Sequence, residues 1–404
     1  MSSQNNDKSR ARLIEIGWVL AGRFSELELD AIMQARDRLQ DYLRASFPQF
    51  QWQLPLLYKP AYFRGPSAEA APLLRDGLRE RDSHSWDFAL VLTSADLNSY
   101  YKAYTLAVPS QALAVAVVSL SRLAPQSELE RGQPPDAPST VLGRRLRALA
   151  LHLLGDLNGV PHSDANNSVM FQPDEVSDLD QMQDYHASEQ DLLAEELADI
   201  ADVRLEEEYT QPTNLFVFYL RATWRLRDEI RSAVVQARPW EFPFRLSRLT
   251  TGALSTLLIM LMTAEAWEVG MSQNQPFITF FSLTALSIAS IFILKRQKLL
   301  LRRSRRALTE QTVQTNVAIS LVVLLGMLTT YLLLFALVLS LSELLFNARL
   351  VAEWVASGSK PIQLSNYIAL SQLVASLGML IGSLGASFEG QNYFQHIAYV
   401  DEEL

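Results

Sequence analysis

The 404-residue chain contains no cysteine, which removes every thiolate metal ligand from consideration. Histidine is almost as scarce, at 5 residues. Three of them, His84, His186 and His396, have no ligand-like spacing to one another and are expected to face solvent. That leaves His152 and His162 as the pair able to carry site chemistry. Basic side chains are nearly absent between Asp174 and Glu208, where 14 acidic residues stand against Arg204 alone, so no nucleic-acid partner is expected there. The polar stretch Met1 to Arg12 lacks the pattern of an export signal, and the first half of the chain is therefore expected in the cytosol.

The 49% of hydrophobic residues are unevenly spread. Residues 1–10 are polar and expected to be disordered. Strand-like and helix-like segments then alternate: a strand over Leu13 to Leu20, a helix capped by Ser25 and running to Ser46, and a strand over Phe50 to Leu57. A helix over Ala70 to Arg81 follows, then a strand over Phe88 to Thr93 and two more between Thr105 and Leu123. A proline-rich loop, Pro125 to Pro138, ends in Ser139-Thr140, suited to cap a helix that carries His152. This order predicts an α/β domain over 11–191. A helical neck over 192–245 follows, with a charged helix Asp191 to Glu208 and an amphipathic one from Thr213 to Gln236.

Beyond it, four apolar segments at about 249–266, 277–294, 317–341 and 367–387 are each near the length needed to cross a bilayer, which predicts an all-α transmembrane region over 246–391. The run Lys295 to Arg306 is strongly basic and Gly270 to Pro276 carries no charge. By the excess of positive charge on cytoplasmic loops, both termini are expected in the cytoplasm, with 392–404 as an acidic tail, in a membrane of the bacterial inner-membrane kind. No string of ionisable residues marks an ion path. Gly378 and Gly382 have helix-packing spacing, for use within the bundle, with a protein partner or in a homo-oligomer. The acidic neck is also a candidate to contact the basic run.

The richest local signal is His152-Leu153-Leu154-Gly155-Asp156-Leu157-Asn158-Gly159-Val160-Pro161-His162. It keeps the first histidine, the glycine and the last histidine of HExxHxxGxxH, and Met170 follows a short loop later. With so few histidines, about 0.0025 accidental matches to these fixed places are expected in the chain. The segment resembles a metzincin zinc-protease helix and, more closely, the archaemetzincin branch. In that branch the third ligand is followed at fixed intervals by cysteines and a Met-turn, and those places here hold Ser163, Ser168, Met170, Ser188 and Asp191. Trp86 to Leu97 and Ala114 to Leu123 share the likeness, which covers about residues 10 to 191 and implies a zincin-like α/β fold.

The resemblance also implies what has been lost. Leu153 occupies the general-base position and can neither accept nor deliver a proton, which should remove about 10² to 10⁴ in rate. The second zinc site is gone with its thiolates. Asp156 replaces the middle histidine but still lies one helical turn from His152, and a carboxylate is an acceptable zinc ligand beside two imidazoles. The expectation is a membrane-anchored, catalytically degenerate domain with a binding or regulatory role, holding zinc, if any, at His152, Asp156 and His162 above an apolar floor supplied by Met170. The alternative is an integral-membrane zinc metallopeptidase that uses the same ligands and borrows Asp164 as base.

Overall fold

The computed structural model describes residues 12–124, 138–200, 215–300, 310–346, 351 and 363–404. The chain forms two compact units, Met1–Phe218 with Tyr399–Leu404, and Tyr219–Ala398. Residues 1–10, most of the proline-rich loop, the end of the charged neck and much of the basic run lie outside the described residues.

The first unit contains β1 (Arg12–Ala21), α1 (Glu26–Ser46), β2 (Phe50–Gln53), β3 (Leu56–Lys59), β4 (Ser67–Ala68), α2 (Ala70–His84), β5 (Phe88–Thr93), β6 (Asp96–Leu97), β7 (Ala107–Ser110), β8 (Val115–Ser119), α3 (Pro138–Leu157) and α4 (Ala187–Ile200). Its main sheet runs β2-β1-β5-β8-β7, with β3 also on β1, and is parallel except for the edge strand β7. Every residue of β5 and β8 is buried, as central parallel strands covered on both faces require. The single strand expected over Phe50 to Leu57 is two, and Pro55 lies at the break. Proline has no N–H for the ladder, and its carbonyl instead accepts from Trp18 N at 2.7 Å.

Local chemistry sets the helices. Ser25 and Glu28 form a reciprocal capping box at the start of α1, worth about 1 kcal/mol. Gly77 lets α2 lie against Val91 and Val115, because a Cβ there would overlap both side chains. The helix carrying His152 begins at Pro138, so Ser139 and Thr140 sit within its first turn instead of capping it. Proline is favoured there because its missing N–H would have had no partner. From Leu142 onward α3 is largely buried between α1 and the sheet. It stops at a Schellman turn, with Gly159 N donating to Asp156 O and Val160 N to Gly155 O, both at 3.0 Å. Gly159 adopts φ +71°, a left-handed conformation that disfavours other residues, and the chain doubles back toward His162.

The helix α5 (Leu215–Arg225) spans the boundary at Phe218–Tyr219 and leads into the second unit. That unit continues with α6 (Arg227–Gln236), α7 (Ser247–Leu261), α8 (Ala264–Ser272), α9 (Gln275–Arg296), α10 (Glu310–Leu345), α11 (Leu364–Ala386) and α12 (Gln391–Tyr399). The one amphipathic helix expected before the apolar region is thus broken at Leu226. Three stretches, Gln275–Arg296, Val313–Leu345 and Leu364–Ala386, are long and apolar enough to cross a membrane. The segment expected as the first span is a pair of helices bent by 89°. At that break Met262 and Thr263 donate to Ile259 and Met260, and the buried Trp267 indole gives its N–H to Leu261 O at 3.0 Å, satisfying backbone freed by the bend. Gly382 and Gly378 serve packing inside this unit, against Leu249 and Ala253 of α7.

Instead of forming a separate tail, residues 391–399 are helical and Tyr399–Leu404 belong to the first unit. The physical reason is that Val400 and Leu404 bracket the acids with apolar side chains, which are 3% and 2% exposed.

Candidate metal centre

Two residues one turn apart on α3 form the base of the site. His152 and Asp156 are fully buried, and Nε2 of His152 lies 3.2 Å from Oδ2 of Asp156. The Schellman turn brings His162 back over them. Its ring stacks on that of His152, with centroids 5.3 Å apart and planes 11° from parallel, and its Nε2 sits 3.2 Å from Asp156 Oδ1. The fourth member comes from far along the chain, with Glu402 Oε1 3.3 Å from His162 Nε2. One donor atom from each of His152, Asp156, His162 and Glu402 lies within 4.8 Å of all the others.

The proton on His152 can be assigned. Its Nδ1 is 2.7 Å from the Val169 carbonyl, which can only accept, so Nδ1 carries hydrogen and the neutral ring turns a lone pair at Nε2 toward Asp156. Val169 precedes Met170, so the backbone beside Met170 orients His152. The contact between Nε2 and Oδ2 lacks hydrogen-bond geometry, and both atoms, together with Glu402 Oε1, are buried without a hydrogen-bond partner. Two lone pairs pointed at one place repel unless a proton or a cation stands between them. Glu402 is steadied from behind, its Oε2 accepting from Gln172 Nε2 at 3.1 Å.

The charges respond accordingly. Burial alone would lower the His152 pKa, but the Asp156 charge raises it above the ordinary imidazole value. Burial would raise that of Asp156, and the two histidines hold it below the carboxylate range instead. His162, hydrogen-bonded to Asp156 and held beside the Glu402 carboxylate, is pushed up to about 10. The pocket therefore favours positive charge between its carboxylates.

These donors fit zinc. Tetrahedral ligands at 2.0–2.1 Å from the metal are about 3.3 Å from each other; three imidazole–carboxylate contacts lie at 3.2, 3.2 and 3.3 Å, Asp156 using Oδ2 toward His152 and Oδ1 toward His162, and one donor atom from each of the four residues lies within 4.8 Å of the others. Two imidazoles and two carboxylates also form a neutral complex with a divalent ion, and Val169 and Gln172 are the outer hydrogen bonds expected around such ligands.

The remaining sequence candidates divide clearly. Met170 is fully buried under α3, where an added Cβ on Gly155 would collide with its sulfur. Leu153 points away from the donors into the apolar core, 1% exposed, with Ile16, Trp18, Leu39 and Leu90 around it. Asp164 is exposed and outside the cluster. Of the positions expected from the resemblance to mark a second site, Ser188 and Asp191 are exposed and Ser163 is half-buried, with its N donating to Met170 O. Ser168 has a new partner: its hydroxyl donates to the buried Glu189 carboxylate at 2.7 Å and accepts from Met170 N at 3.0 Å. A hydroxyl–carboxylate pair thus holds the loop beside Met170. His84 is half-exposed and stacks on Trp86, whereas His396, expected at the surface, is 1% exposed because it lies on the inward face of α12.

Glu402 is the functional candidate that spacing could not supply. The signal for it is an acidic triplet, Asp401-Glu402-Glu403, held between apolar Val400 and Leu404.

No family model matches the chain, and no curated protein does. Among solved structures, the chain is similar to archaemetzincin from Methanopyrus kandleri, at 21% identity over 47% of this chain and 98% of that one, with a TM-score of 0.36. It is likewise similar to a zinc-dependent peptidase from Methanocorpusculum labreanum (16% identity, 44% and 99% covered, TM-score 0.33). A third likeness is to archaemetzincin from Archaeoglobus fulgidus complexed with malonate (16%, 44% and 99%, TM-score 0.32). The N-terminal α/β part of the chain resembles the archaemetzincin fold, and an all-α part with three long apolar helices follows it.

Proposed function

We propose that the first unit is a membrane-attached, zinc-binding module that does not hydrolyse peptides and serves binding or regulation. The observation that carries this is the convergence of His152, Asp156, His162 and Glu402, with Leu153 turned into the core where a base would be needed. Bound zinc would be a Lewis acid, but hydrolysis also needs a water position and a proton acceptor. Glu402 fills the fourth place and Leu153 offers no acceptor. The long apolar helices support attachment to a bilayer, and the basic run from Lys295 supports a cytosolic position for the residues beside it.

The test uses full-length protein in detergent. One equivalent of zinc by elemental analysis is expected, lost in His162→Ala and Asp156→Ala, with no cleavage of peptide libraries. Zinc-dependent cleavage abolished by His152→Ala would overturn the non-hydrolytic reading, and protein that takes up no zinc would overturn the metal reading.

A further inference from the structure

The segment Tyr399–Leu404 is seated on the first unit with a specificity that its acidic composition alone does not explain. It runs antiparallel along the free edge of β7: Leu404 N donates to Ala107 O at 3.0 Å, Leu106 N to Leu404 O at 2.6 Å, and Asp401 N to Pro109 O at 3.2 Å. Successive acids then go to different receivers. Asp401 accepts from Gln111 N at 2.5 Å. Glu403 is gripped by three donors, Ser99 Oγ at 2.8 Å, Tyr100 N at 2.9 Å and Tyr101 N at 3.0 Å. Glu402, between them, reaches His162 and Gln172. Backbone pairing provides general affinity, while the carboxylate receivers fix the register that delivers Glu402 to the centre.

We propose that Tyr399–Leu404 is a metal-linked latch: it docks as an added strand on β7 and closes the zinc centre with Glu402, so that zinc binding and docking strengthen each other. This rests on the zinc-binding reading above. Because linkage is reciprocal, docking strengthens zinc binding by the same factor as zinc strengthens docking, so loosening the dock weakens zinc affinity and removing zinc loosens the segment. Zinc with three ligands from the body of the unit has an open position, and zinc with Glu402 has none. The latch therefore decides whether another donor, from solvent or from a partner, reaches the metal.

The experiment takes the full chain in nanodiscs, with zinc affinity measured by chelator competition and backbone hydrogen exchange followed by mass spectrometry. In the wild type, zinc is expected to slow exchange in peptides covering 104–113 and 399–404. Glu402→Gln should raise the zinc dissociation constant at least the ~10–100-fold seen on losing even outer-shell partners, and should abolish that zinc-dependent protection. Glu403→Gln contributes nothing to the metal, yet is expected to weaken zinc about fivefold by loosening the dock. One equivalent of zinc bound with unchanged affinity in Glu402→Gln, or exchange at 104–113 and 399–404 indifferent to zinc, would overturn the latch and leave the zinc-binding module standing. Failure of the wild type to bind zinc would remove both.

Discussion

Placing a glutamate at position 153 is the most direct test of the proposal that the centre does not hydrolyse peptides. Leu153 is 1% exposed in a cluster with Ile16, Trp18, Leu39, Phe88 and Leu90, so Leu153→Glu replaces a core side chain instead of adding a base to the centre. The loss of leucine burial is worth about 1.5–3 kcal/mol. Burying a carboxyl without a hydrogen-bond partner costs a further ~1–3 kcal/mol, with the group driven to its neutral form. A total near 4 kcal/mol in a unit of this size corresponds to a fall of about 8–16 °C in melting temperature. The measurement is thermal unfolding of full-length protein, followed by near-ultraviolet circular dichroism, alongside a zinc-supplemented peptidase assay. The expected outcome is a large destabilisation and no activity. A Leu153→Glu protein with wild-type Tm and new zinc-dependent cleavage would show that this position faces the centre, and the assignment of Leu153 to the core would be wrong.

Further outcomes follow from other contacts. Ser168→Ala strands the buried Glu189 carboxylate with less hydrogen bonding and should lower the stability of the first unit by about 2 kcal/mol; an unchanged Tm would show that the pair contributes nothing. Arg145, almost fully buried, holds Asp180 by two nitrogens, and although burial opposes it this keeps the Asp180 pKa below the usual carboxylate value. A folded pKa depressed in this way adds stability that is present above about pH 4 and lost as pH falls below it, so Asp180→Asn should flatten the acid limb of a stability–pH profile. In the second unit, Gly382→Ala places a Cβ 2.7 Å from the Leu249 carbonyl, backbone that cannot yield, and should cost about 1–3 kcal/mol in denaturant titrations of the detergent-solubilised protein.

Much of the first unit was legible because its signals are local. Ser25 with Glu28 marks a helix start, unbroken apolar runs mark the inner strands, and Gly159 marks the end of α3. The spacing of His152, Asp156 and His162 named three of the four converging residues, since one helical turn and one tight reversal are enough to bring them together. Glu402 was invisible to spacing because its partners are set by how the whole chain returns to the edge of β7. The bend after Leu261 was hidden for a different reason: hydropathy sums composition along a window, and Met262-Thr263 are as compatible with a straight span as with a turn capped by Trp267. The break at Pro55 was readable in principle, since a proline inside a strand argues for interruption.

The position of Gln111 and Asp401, 290 residues apart yet hydrogen-bonded, also has a meaning in time. At roughly 5–20 residues per second, a ribosome needs about 15–60 s to reach Asp401 after making Gln111. During that interval the edge of β7 lies open and the centre lacks its last carboxylate, while the apolar helices are being made. The α/β unit can be completed only after the long apolar helices have been synthesised, so a truncated chain would be left with an unpaired strand edge prone to association.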